Sequence, residues 1–75
     1  MKATLVKPVI GVQLDTRISE TLPSGSEVEV SQSSPRGWAE ISWNGFWFSV
    51  LCEDLIDACS EDDARRIAFA RGLNP

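Results

Sequence analysis

Seventy-five residues and 8.3 kDa hold one domain, and 43% hydrophobic with 24% charged residues is a globular composition, neither disordered nor fibrous. Eleven acids against seven Lys and Arg leave a formal charge of −4, which argues against a non-specific grip on DNA, RNA or anionic lipid, since phosphate binding needs clustered cations. The chain has no His and no Tyr, so two residue types that carry much enzyme chemistry are missing.

In chain order, Met1–Pro8 interrupts with Lys7 and Pro8 the apolar core that a signal peptide needs. No apolar run approaches the roughly eighteen residues of a membrane span. The expectation is a soluble cytoplasmic chain with reduced thiols. Ile10, Val12 and Leu14 alternate with Gly11, Gln13 and Asp15, which predicts a half-buried strand with the aliphatic set on its apolar side. The turn formers Leu22-Pro23-Ser24-Gly25 follow. Next, Val28 and Val30 are predicted inward, with Glu27 and Glu29 facing water. Ser33-Ser34-Pro35-Arg36-Gly37 is a loop by composition.

The strongest local signal is Asn44-Gly45 between two β-rich runs, Trp38 to Trp43 and Phe46 to Leu51. This is the preferred pair for a type I′ hairpin, and a two-residue turn sets the register. Trp43 then faces Phe46, Ile41 faces Phe48 and Ala39 faces Val50, six residues that read as core. The other face pairs Ser42 with Trp47, Glu40 with Ser49 and Trp38 with Leu51. Cys52 to Cys59 predicts a short helical turn. Ser60 then opens a helix as N-cap, with Asp63 at the capping-box position and Glu61 and Asp62 near the positive end of the dipole. Glu61–Arg65 and Asp62–Arg66 are spaced for i,i+4 pairs, and Gly72 is the stop.

Leu22-Pro23-Ser24-Gly25-Ser26-Glu27-Val28-Glu29-Val30 resembles the L-P-x-G-x-x-V-x-V entry to the second strand of small bacterial SH3-type domains. Gly37-Trp38-Ala39-Glu40-Ile41 resembles their G-W-x-x-V third strand, and the turn around Asp54-Leu55-Ile56 completes the likeness over about residues 5 to 58. The resemblance implies a mainly all-β chain: an SH3-like small β-barrel of about five strands over residues 1–59. A C-terminal α-helix over 60–75 packs on the barrel or on a second subunit. The likeness points to a bacterial or phage accessory protein. Peptide-binding SH3 domains hold Pro-rich ligands on Tyr, Trp and Pro side chains. Of that set only Trp38 matches here, so the likeness carries a fold and not polyproline binding.

Trp38, Trp47 and Leu51 form an apolar patch that is either a partner-binding surface, with Arg36 as a rim charge, or a face covered by the C-terminal helix. On that helix Ala64, Ile67 and Ala68 line one side, while Phe69 and Leu73 lie nearly opposite. Ile67, Phe69 and Leu73 are therefore candidates for self-association, with a homodimer as the form expected. Six acids crowd residues 53–63, a charge pattern that suits helix capping and could attract a basic partner. A calcium loop motif is missing, Cys52 and Cys59 lie too far apart on a regular helix for a disulfide, and two thiols without His make a poor zinc site. No metal or other cofactor is expected. No catalytic triad, phosphate loop or nucleophile elbow is present. The plasmid-type dihydrofolate reductases are similar in size and fold, but Phe48-Ser49-Val50-Leu51 lacks the Gln and Tyr of their V-Q-I-Y pore strand. The expected function is a small non-enzymatic protein–protein interaction module. The alternatives are a nucleic-acid-binding barrel, in which Arg17 and Arg36 gather beside the tryptophans, and a pore-type tetrameric reductase.

Overall fold

A computed structural model describes residues 1–31 and 37–70. Six strands and two helices follow in order: β1 (Lys2–Thr4), β2 (Val9–Gln13), β3 (Ser19–Leu22), β4 (Glu27–Val30), β5 (Trp38–Trp43), β6 (Phe46–Leu51), α1 (Cys52–Ala58) and α2 (Glu61–Ala70). All strand pairs are antiparallel, in one sheet of order β1-β4-β5-β6-β2-β3. The chain is thus mainly β, as expected, with six strands where about five were anticipated. No helix among the described residues is long and apolar enough to cross a membrane.

The hairpin forms as its turn dictates. Asn44 and Gly45 take φ of 55° and 87°, the left-handed pair that a type I′ turn needs to match strand twist. All six predicted cross-strand pairs occur, from Trp43 opposite Phe46 to Trp38 opposite Leu51. Ala39, Ile41, Phe48 and Val50 are buried. At the tip the inner face runs past the core, so Phe46 is exposed and Trp43 half-buried, its ring tilted against Phe48 at 6.1 Å.

Strand β2 has the predicted alternation in the opposite phase. Val9, Gly11 and Gln13 face the core, while Ile10 is 63% exposed, Leu14 is exposed and Val12 is half-buried. Packing decides this. A Cβ on Gly11 would lie 3.1 Å from Phe48 Cβ and 3.2 Å from Val50 Cγ2, so the core has room there for backbone and little else. Sliding β2 by one residue would drive an aliphatic side chain into that gap. Gln13 is tolerated inside because its polar groups are satisfied: Thr16 Oγ1 donates to its Oε1 at 3.1 Å, and its backbone bonds Ile18 and Arg17.

Val28 and Val30 point inward and Glu27 and Glu29 outward, as predicted. Helix α1 closes one side of the core with Cys52, Leu55 and Ala58. An isolated bridge between Leu5 and Cys59, and a bond from Val6 N–H to the Ala58 carbonyl at 2.6 Å, tie the helix end to the segment after β1. Helix α2 packs against α1. Ser60 caps it, accepting from Asp63 N–H at 3.4 Å. The reciprocal half of a capping box is diverted: Ser60 N–H donates to the Thr4 carbonyl at 3.3 Å, and the Asp63 carboxylate accepts from Thr4 N–H at 2.9 Å while pairing with Arg66. Arg66 therefore pairs with Asp63 instead of Asp62, whereas Arg65 reaches both Glu61 and Asp62 at 3.5 Å.

Candidate functional site

Because β-strand side chains alternate, a hairpin whose inner face is committed to the core must carry its remaining residues outside. On β5 and β6 these include Trp38, Trp47 and Leu51, exposed at 39%, 44% and 44%. Helix α2 does not cover them. Its inward residue, Ile67, is wholly buried in the common core with Leu55 and Ala58, and the helix lies on α1. Over the described part of the helix, Glu61–Ala70, the covered reading of the tryptophan patch does not hold.

The face is larger than the hairpin. Val12 pairs with Ser49 across the β2–β6 ladder, and Leu14 N–H donates to the Trp47 carbonyl at 3.0 Å. The outward aliphatics of β2 thus share the side of the sheet that holds Trp47 and Leu51. Ile10, Val12 and Leu14, assigned by alternation to the apolar side of their strand, lie on this outer surface instead. The one sequence signal for this was Val9 and Gly11, which stand in the counter-phase. Glu40 and Ser49, paired across β5 and β6, form the polar centre of the face, both half-buried. Arg17 sits in the β2–β3 turn at φ 63°, three residues beyond Leu14. Arg36 lies outside the described residues.

The other candidate surface divides. Ile67 is an interior residue and offers nothing to a second copy, which corrects its assignment to self-association. Phe69 is 75% exposed, and Leu73 lies outside the described residues. Phe69 shares a groove of about 590 Å³ with Ile56, Ala64 and Ala68, so it flanks the alanines instead of opposing them.

The acidic run is mostly used locally. Glu61, Asp62 and Asp63 pair with arginines, and Asp57 with Lys7 at 3.7 Å. Asp63 is held below the usual carboxylate range, first by the Thr4 N–H and then by Arg66 and Ser60, against the opposing effect of burial. Cys52 and Cys59 are buried free thiols. Burial, with the Asp63 charge adding to it, pushes Cys59 up to about 11, so it stays a protonated thiol at neutral pH. Among the described residues no three of the acids and cysteines form a group that could hold a metal ion. No protein-family model, characterised protein or solved structure matches the chain.

Proposed function

We propose that the chain is an SH3-like small barrel acting as a non-enzymatic interaction module, which binds another protein through the outer face of β2, β5 and β6. What supports the barrel reading is the sequence of antiparallel hairpins, the tight turn at Asn44-Gly45 and the Leu5–Cys59 bridge, which returns the chain after α1 to the segment that follows β1. The observation that carries the functional reading is the outer face itself. Ile10 and Val12 of β2, Leu14 just past its end, Trp38 of β5, and Trp47 and Leu51 of β6 stand on one side of the sheet, none of them buried. Apolar patches of this kind mark binding surfaces, and tryptophans are the usual anchors. The chemistry of catalysis is thin by comparison: both thiols are buried and the chain has no His. Self-association belongs to a second surface, the groove beside Phe69.

The test is capture of a stoichiometric partner from the source cells on the immobilised chain, repeated with Trp47→Ala. Loss of the partner with cooperative unfolding retained is expected, because truncating a hot-spot tryptophan costs about 2 kcal/mol or more of binding. Oligonucleotide binding that falls steeply with salt and weakens in Arg17→Ala would overturn the reading in favour of a nucleic-acid barrel.

A further inference from the structure

The carboxylate at the middle of the outer face constrains what can cover it. Glu40 stands opposite Ser49, with Trp38 and Ser42 as its same-face neighbours along β5. Trp47 and Leu51, two residues either side of Ser49, are its diagonal neighbours at roughly 7–8 Å between backbones. Val12 lies beyond Ser49 on β2. Among the described residues no cation pairs with Glu40, as none does with Asp15, Glu20, Glu27, Glu53 or Asp54; what sets Glu40 apart is its place beside the tryptophans on the sheet face. Among the described residues it is therefore an unpaired, half-buried carboxylate, with Trp38, Trp47 and Leu51 on one side and Ser31, Ser42 and Ser49 as its polar neighbours.

A partner that closes over Trp38, Trp47 and Leu51 also strips water from Glu40, and a carboxylate desolvated without a counter-charge is strongly unfavourable. Resting on the reading of this face as the binding surface, we infer that the partner is a protein segment presenting an Arg or Lys, set among apolar side chains, to Glu40. Arg suits the place better, since a planar guanidinium can pair with a carboxylate while stacking on an indole. The net charge of −4 favours the approach of such a segment. A second copy of the chain is a poor occupant: a two-fold contact centred on this face would bring one Glu40 against another.

The test pans a random peptide library displayed on phage against the full chain, and in parallel against Glu40→Gln, Ser49→Arg and Trp47→Ala, each checked for cooperative thermal unfolding. The wild type should enrich peptides that combine a basic residue with aromatic or aliphatic ones. For the best peptide, replacing its Arg by Gln should weaken binding to the wild type about tenfold or more. The same change should matter less than about threefold to Glu40→Gln, where the coupling is gone. Ser49→Arg, which neutralises Glu40 from within, should also lose the preference. Enriched peptides without basic residues, an Arg effect equal on both proteins, or no enrichment on the wild type would overturn the inference while leaving the face available to other partners. Enrichment that survives Trp47→Ala would place binding elsewhere and overturn the functional reading as well.

Discussion

Gly11 shows how one residue without a side chain can settle the direction of a strand. Its backbone passes so near Phe48, Val50 and Leu22 that a Cβ would meet all three at 3.1–3.4 Å. Gly11→Val should destabilise the chain by about 1–3 kcal/mol, the usual cost of overpacking a filled core, measured by urea unfolding. A neutral result would mean that β2 moves aside with ease. In the sequence Gly11 reads only as a weak strand residue, because the two closest side chains that exclude its own, Phe48 and Val50, come from a different hairpin far along the chain. Asn44-Gly45 is the opposite case. Its conformational demand is local, so it was legible at once, together with the register of the pairs on either side.

At the scale of elements, the phase of β2 and the docking of α2 are the informative cases. Val9 and Ile10 are adjacent and similar in chemistry, yet one is buried and the other 63% exposed. Val9→Ser should cost about 2 kcal/mol, and Ile10→Ser should stay within about 0.5 kcal/mol, both by chemical denaturation. The reverse order would restore the alternation as first read from the sequence. Helix α2 is pinned to β1 through the Asp63 carboxylate and the Thr4 N–H. The folded carboxyl titrates below its unfolded value near 3.9. Its stabilisation is therefore present above that pH and lost as pH falls through the lower folded value. Asp63→Asn should be less stable than wild type at neutral pH by about 2 kcal/mol, and the gap should narrow below about pH 4. A gap that stays constant down to strong acid would show that the charge is not what docks the helix. Ser60 as helix start was legible because capping is local, whereas the use of Asp63 against β1 was not, since Thr4 is 59 residues away.

For the whole molecule, two exposed surfaces carry the proposed contacts. The outer sheet face offers Trp38, Trp47 and Leu51 with the aliphatics of β2, and the α1–α2 groove offers Phe69. The proposal assigns them different tasks, so they should separate by mutation. Phe69→Ser should shift sedimentation toward the monomer and leave partner capture intact, and Trp47→Ala should do the reverse. If Phe69→Ser leaves the sedimentation unchanged, the groove is not a self-association surface. Phe69→Ser should lower stability little, since that side chain is 75% exposed, whereas Trp47 is 44% exposed and its truncation is read only where cooperative unfolding is retained.

Part of the candidate site could be read from the chain itself: Asn44-Gly45 puts Trp38, Trp47 and Leu51 on one side of the hairpin from neighbours alone. The same holds for the inward valines of β4 and the cap of α2, all products of local geometry or simple alternation. Alternation marks two faces of a strand but not which one meets the core. That choice for β2 rested on the volume already taken by Phe48 and Val50, and it moved Ile10, Val12 and Leu14 from the expected interior to the outer surface. Tertiary packing likewise seated α2 on α1 with Ile67 in the common core, on a side of the molecule that leaves the tryptophans uncovered.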